Sequence, residues 1–137
     1  MSPETALQNI ETALGQHLLT MPACPPVVWD DQDVLPERPY VRFAHVPVQV
    51  MDDTLAGTEP RWQGQVLLTV TTPKGKLAQD ARRIAGKLCL HFPKTLRLPV
   101  PDGIVLIHRP PEPRSGFPDG SDWRLPVVIH YKTENQS

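Results

Sequence analysis

The C-terminal segment 123–132 constrains the fold most, because it combines a strict strand pattern with a proline. Its apolar residues recur at every second position: Trp123, Leu125, Val127, Ile129 and Tyr131. This period is typical of a strand with one buried face. Pro126 has no N–H for a sheet ladder, so the strand is predicted to be unpaired on one side there, bulged or at a sheet edge. An apolar edge of this length favours aggregation unless it is covered, so we look first for a neighbouring subunit there rather than for an active site.

Proline content indicates a sheet protein with stiff connections. The chain has 137 residues, which is enough for one ordinary domain. Its 17 prolines are about twice the usual share. Proline at the ends of segments fixes turns and lowers the entropy of the unfolded chain. A hydrophobic content of 39% and a charged content of 21% are those of a globular protein.

Charge and cysteine usage exclude several classes of function. The net charge is −1, with acids and bases mixed along the chain, so sequence-independent binding to nucleic acid is not expected. The apolar runs are too short to cross a bilayer, which predicts that the chain has no membrane segment. Cys24 and Cys89 have no metal-ligand spacing, and they are interpreted as free thiols in a reducing cytoplasm.

Two amphipathic helices are predicted. Ser2, Pro3 and Glu4 form a helix start, with a hydroxyl cap, a proline at the first helical position and an acid at the positive end of the dipole. The apolar face of this helix consists of Leu7, Ile10, Ala13, Leu14 and Leu18. The second helix is predicted over residues 76–91, with a buried stripe of Leu77, Ala81, Ile84, Ala85 and Leu88.

The remaining pattern predicts strands and turns. Strands are expected at 27–29, 40–50, 61–72, 104–109 and 123–132, with a bulge near Pro47 in the second of them. Residues 51–60 and 109–122 are predicted loops, and 133–137 a frayed polar tail. The fold class is therefore α+β: a two-layer sandwich of a four- to five-stranded, mainly antiparallel sheet with both helices on one face. Residues 1–132 form a single domain.

No motif in the sequence indicates catalysis or a cofactor. The five histidines have no close pair spacing, and we interpret them as solvent-facing or capping: His17, His45, His91, His108 and His130. The acidic residues at 30–33 lack the glycine and the closing glutamate of a calcium loop. No nucleophile elbow is present. A small hydrolase using His45, His108 or His130 stays open only through residues brought together from distant positions.

The order of these elements resembles the tail terminator proteins of long-tailed bacteriophages and prophages, in a branch known as a phage-related domain of unknown function. The segments that carry the resemblance follow the N-terminal helix: PPVVWD at 25–30, PYVRF at 39–43, WQGQV at 62–66, LHFP at 90–93, and WRLPV with HYK in 123–132. Each segment alone is unspecific. Their order and spacing, over nearly the whole chain, carry the similarity.

The resemblance implies a structural protein of the virion tail, at its neck end, that is assembled in the host bacterial cytoplasm. Such proteins are expected to form hexameric rings that cap the tail tube, stop its polymerisation and join it to the head–tail connector. The family supplies no catalytic residues, cofactor or metal, so no enzymatic activity is expected. Another neck or connector component of the same virion is the nearest alternative.

Contacts with a neighbouring subunit or partner are predicted on the last strand and on the loop before it. A heterologous ring needs such surfaces. The candidate residues are Arg114, Phe117, Arg124, Pro126, Val128 and His130. Loops 51–60 and 109–122 are the candidates for contacts with the tube or the connector. The strand pattern further predicts that a charge at Val127 or Ile129 damages folding, whereas one at Val128 damages assembly more.

Overall fold

The structure, a computed structural model, describes residues 3–30, 32–51, 61–75, 78–101 and 103–135. Two helices lie in these ranges, α1 Pro3–Leu19 and α2 Gln79–His91. The strands of the same ranges are β1 Val27–Trp29, β2 Tyr40–Met51, β3 Arg61–Pro73, β4 Arg97–Val100, β5 Gly103–Ile107, β6 Glu112–Pro113, β7 Phe117–Asp119 and β8 Asp122–Asn135. The α+β fold class is confirmed.

The strands form one curled, mixed sheet in the order β1-β2-β3-β8-β5-β4, with β6 and β7 paired to β8. The β1–β2 pair is parallel, and the other pairs are antiparallel. The prediction of four or five strands is therefore wrong. The predicted set lacks β4, β6 and β7, which have four, two and three residues. Segments this short, each with a proline, show no readable alternation.

The helices and one face of the sheet share the hydrophobic core. Helix α1 contacts β2 and β4, and α2 packs on β3 and β8. Because β2 and β4 lie toward opposite ends of the strand order, their shared contact with α1 reflects the curl of the sheet. The core includes Leu14 and Leu18 of α1, Leu88 of α2, and Leu68 and Ile129 of the two long central strands, all fully buried. Each such side chain contributes about 1.5–3 kcal/mol of burial.

Pro126 lies inside the sheet and not at its edge. It is paired with Thr69 of β3, and its carbonyl accepts a hydrogen bond from the Arg114 N–H at 2.8 Å on the other side. The N and C=O of one residue in an antiparallel strand point to the same side. The missing donor therefore faces the chain after β6, and the ladder with β3 loses nothing. The predicted edge is wrong, because the chain's own residues 112–119 cover this side of β8.

Other boundaries differ from the predicted ones in detail. The bulge in β2 is confirmed, since the register shifts between Pro47 and Gln49. The frayed tail is wrong for residues 133–135, which continue β8 and pair with β5. The predicted loop 109–122 contains β6 and β7. Residues 52–60 of the other predicted loop, and residues 76 and 77 of the predicted second helix, lie outside the described residues.

Candidate functional site

His45 connects the surface of α1 to a buried tyrosine. Its Nδ1 lies 2.8 Å from the Glu11 carboxylate, and its Nε2 accepts a hydrogen bond from the Tyr131 hydroxyl. Burial, and then the charge of Glu11, raise the pKa of Tyr131 well above its usual range. The tyrosine therefore stays protonated, and both ring nitrogens of His45 are occupied. This arrangement satisfies a buried hydroxyl group and provides no accessible nucleophile.

His17 and His91 hold the ends of the two helices together. The Nε2 of His17 donates to the carbonyl of His91 at 2.6 Å, and the Nε2 of His91 donates to the carbonyl of His17 at 2.6 Å. The carbonyls in the last turn of a helix have no partner within that helix. The capping interpretation therefore fits this pair, whose rings also stack.

His130 fastens β6 to β8. Its Nε2 lies 2.6 Å from the carboxylate of Glu112, which also forms an ion pair with Arg114 at 3.1 Å. The ring of His108 lies 6.4 Å from that of His130 between centroids. Burial, and then nearby cationic groups, lower the pKa of His108. The solvent-facing or capping interpretation is wrong for His45 and His130, whose rings are buried against the carboxylates of Glu11 and Glu112.

The described ranges contain no group of three or more histidine, cysteine or acidic side chains that could hold a metal ion. The three histidines considered for a hydrolase lie on two sides of the sheet. His45 contacts Tyr131 on the core face, whereas His108 and His130 lie together near Glu112. The hydrogen bonds above assign the rings of His45 and His130 to holding distant parts of the chain together.

The predicted contact residues lie on or beside the face of β8 that turns away from the helices. Arg124, Pro126, Val128 and His130 alternate with the core residues of that strand. Phe117 pairs with Arg124, and both Phe117 and Arg114 are exposed. The chain's own strand β6 covers the end of this row that contains Val128 and His130.

Burial decides which of the six can contact another protein directly. Val128 is 4% exposed and His130 is 8% exposed, because Glu112 pairs with Val128 and binds His130. The guanidinium group of Arg124 donates hydrogen bonds to Asp119 and Thr71, and the residue is partly exposed. Arg114 and Phe117 therefore offer the most accessible surface of the predicted set.

Sequence reasoning missed an exposed apolar pair between β1 and β2. Val34 is 78% exposed and Leu35 is 48% exposed. The exposed acids Asp33 and Glu37 flank the pair. We name residues 32–37 the acidic loop. In the sequence, this loop can be recognised by two adjacent apolar residues within an otherwise polar connection. Neighbouring apolar residues on a surface can mark a site of interaction.

A groove with a cationic rim lies between α2 and residues 113–116, and we name it the α2 groove. It has a volume of about 620 Å³, with Trp123 and Leu125 among its apolar lining residues. Arg82 of α2 and Arg114 of the facing segment also line it. Gly86 contributes no side chain to the helix wall. The α2 groove therefore combines an apolar floor with two guanidinium groups.

Gly116 brings the chain close to the floor of the α2 groove. A Cβ at this position would lie 2.5 Å from the indole Nε1 of Trp123. Only glycine allows residues 113–116 to approach the sheet this closely. On the opposite wall, a Cβ at Gly86 would have nothing within 4 Å among the described residues. Gly116 thus lets residues 113–116 form a wall close to Trp123. Gly86 leaves the helix wall of the groove without a side chain at that position.

A model of the phage tail terminator protein family matches residues 9–131. This range runs from the first helix to near the end of β8 and includes both central strands. The chain belongs to the phage tail terminator family. The resemblance of the sequence segments is therefore confirmed, and the protein has a structural role in the phage tail. This role places the protein in the virion tail, in association with other tail proteins.

Among the solved structures that are similar to this chain, one matches over nearly the full length of both chains. It covers 100% of this chain and 99% of the other, with 21% sequence identity and a TM-score of 0.75. At that identity the likeness shows a shared fold. No curated protein matches the sequence. In the part of the chain that the structure describes, no helix is long and apolar enough to cross a membrane.

Proposed function

We propose that this protein forms a hexameric ring on the head-side end of the finished tail tube, where it stops further polymerisation and joins the tail to the head connector. The match of residues 9–131 to the tail terminator family is the observation that carries this proposal. In this role the protein acts through surfaces that bind other copies and other virion proteins, and it performs no catalysis. It assembles in the cytoplasm of the bacterial host.

The distribution of charge supports a ring of identical subunits. The net charge of −1 is small, so copies can gather without strong overall repulsion. Two exposed patches nevertheless differ in charge. The acidic loop exposes Asp33 and Glu37, whereas α2 exposes Arg82, Arg83 and Lys87 beside a single acid, Asp80. A head-to-tail ring needs two different surfaces that complement each other on each subunit, and these two patches can supply them.

The use of the histidines supports a structural role over the hydrolase alternative. His17 and His91 join two helices, His45 satisfies a buried tyrosine, and His130 fastens a short strand. Each of these contacts holds two distant parts of the chain together. We expect polar side chains to be used in this way in a subunit that catalyses no reaction and has to keep its shape during assembly.

Loss of the gene tests the function directly. We expect a phage or prophage that lacks this protein to make tails longer than normal, because no cap stops the tube. Electron microscopy of negatively stained lysates measures the tail length. Expression of the protein from a plasmid should restore the normal length.

The same experiment separates the tail terminator from another neck component. Loss of a connector protein should leave tails of normal length that fail to join heads. Tails of unchanged length in the deletion strain would therefore contradict the capping role. Purified protein, alone or with tail tubes, should also appear as rings, whereas a strict monomer in both conditions would count against it.

A further inference from the structure

We infer that neighbouring copies of this protein join head-to-tail, with the acidic loop of one copy seated in the α2 groove of the next. This inference rests on the proposed ring, for which it names the two contacting surfaces. It commits to a second copy of this chain as the occupant of the groove. The argument comes from the apolar fit, the charges and the symmetry of such a contact.

The apolar parts of the two surfaces complement each other. Val34 and Leu35 are adjacent, and both extend into solvent although their side chains are apolar. The α2 groove has Trp123 and Leu125 at its floor. The central part of a protein interface is usually an apolar anchor in a well-packed pocket. Seating the apolar pair in the groove removes both apolar surfaces from water.

The charges around the apolar parts are opposite. Asp33 and Glu37 flank the apolar pair of the acidic loop, and Arg82 and Arg114 line the α2 groove. Arg82 makes no ion pair with any residue of the described ranges. A guanidinium with no ion-pair partner among the described residues is available to a carboxylate of a neighbouring copy. Opposite charges at the rim set the orientation and raise the rate of association.

The two surfaces generate a ring and not a simple pair. Within one chain Val34 stays exposed, so a subunit does not fill its own groove. The acidic loop of each copy therefore requires the groove of a second copy. The acidic loop of that second copy is still free and can bind a third copy. A contact between two different surfaces repeats until the rotation closes. A two-fold contact would instead stop at a dimer.

Cysteine cross-linking tests the contact. The tested chain carries Val34→Cys and Gly86→Cys in a background with Cys24→Ala and Cys89→Ala. Both new positions are exposed, and a side chain at residue 86 meets no described atom. A short bis-maleimide should link copies into a ladder of bands on a denaturing gel, ending at the size of the closed ring. A mixture of two chains, each with one of the new cysteines, should give dimers only.

A matched control places the first cysteine elsewhere. Val46→Cys, at a position about as exposed as Leu35 but on β2, replaces Val34→Cys in the otherwise identical chain. We expect no ladder from this control. If both chains give the same ladder, the cross-links report random collision, and the inference is overturned. Circular dichroism establishes that all variants are folded.

Charge reversal gives an independent test on the same surfaces. Asp33→Arg with Glu37→Arg, or Arg82→Glu alone, should weaken ring formation by about tenfold or more, because like charges then face each other. A chain that combines Glu37→Arg and Arg82→Glu should recover part of the loss. Lys94→Glu, which changes an exposed charge outside both surfaces and outside the predicted contact loop, should leave assembly unchanged. Sedimentation velocity measures the oligomers.

The outcomes distinguish the contact from the function. The contact is overturned if rings form normally in all the charge variants and the chain with Val34→Cys and Gly86→Cys gives no ladder. That result leaves the capping role intact. The capping role is judged separately by tail length in the deletion strain. Normal tail length there, together with a ladder from the purified protein, would retain the contact and refute the cap.

Discussion

The imidazole of His17 stacks on that of His91 with 4.1 Å between ring centroids, and each ring binds the backbone carbonyl of the other residue. This exchange joins the last turn of α1 to the last turn of α2. The carbonyls at a helix end are electron-rich and lack helical partners. The pair therefore holds together the C-terminal ends of the two helices that cover the sheet.

Stability is expected to fall in mild acid because of this pair. Burial lowers the pKa of His17, and the adjacent His91 acts in the same direction, although the bond to the His91 carbonyl opposes them. The folded state then binds a proton less readily than the unfolded chain. The stabilisation is complete above about pH 6.5 and is lost as the pH falls through the lowered pKa of the folded state.

Urea unfolding at pH 8 and at pH 5.5 measures this loss. The control is His17→Gln, whose amide can still donate to the carbonyl of His91 but does not titrate. We expect its free energy of unfolding to change less between the two pH values than that of the wild type. The pKa of His108 is lowered as well, and its contribution cancels in the comparison. An unchanged pH dependence in the variant would refute the role of His17.

Tyr131→Phe is expected to lower the free energy of unfolding by about 1–3 kcal/mol. The change removes the hydroxyl group and leaves the Nε2 of His45 buried without its partner. Equilibrium urea unfolding gives the value. A double-mutant cycle with His45→Phe supplies the control, because replacement of both partners by apolar groups should cost less than the sum of the single changes. Strict additivity would show that the two residues do not interact.

Two glycines of the α2 groove should respond in opposite directions to alanine. Gly116→Ala places a Cβ 2.5 Å from the Nε1 of Trp123, so the segment has to move and we expect a cost of about 1–3 kcal/mol. Gly86→Ala meets nothing within 4 Å in the described part and should stabilise α2 by up to about 1 kcal/mol. Thermal unfolding followed by circular dichroism compares the two. A loss of stability in both would contradict the geometry of the groove.

The sequence predicts the long elements well, because each carries many repeats of its own period. The apolar spacing locates the helices and β3, and Pro47 locates the bulge in β2. Strands β6 and β7 are too short to show a period, and they pair only because β8 offers a free side. The sequence also does not show which neighbouring strand faces the side of Pro126 that lacks an N–H, since this depends on how the strands pair at that point.

The candidate surfaces are predictable only in part. Arg114 is identified from its position in a long, proline-rich connection, and it lines the α2 groove. Arg82 is one of several polar residues on the wet face of a helix, and nothing in the spacing distinguishes it. Its importance comes from residues 113–116, which fold back beside α2 from a distant part of the chain. Juxtapositions of this kind are set by tertiary structure.

The alternation along β8 predicts different tolerance to charge at Val127 and Val128. Val127 is fully buried in the core between the sheet and the helices, so Val127→Lys leaves an ammonium group without water or a partner. Val128 is also buried, but it lies on the other face and is paired with Glu112. A lysine there can extend its long side chain toward that carboxylate. The expectation that a charge at Val128 mainly damages assembly is thus replaced by a graded loss of folding.

We expect Val127→Lys to abolish soluble protein and Val128→Lys to lower the free energy of unfolding by only about 1–3 kcal/mol. The yield of soluble monomer and urea unfolding measure the two effects. Val128→Lys combined with Glu112→Gln serves as the control, because the added lysine then has no carboxylate to meet. If that chain is as stable as Val128→Lys alone, the lysine does not reach Glu112. Equal loss of soluble protein for Val127→Lys and Val128→Lys would contradict the assignment of the two faces.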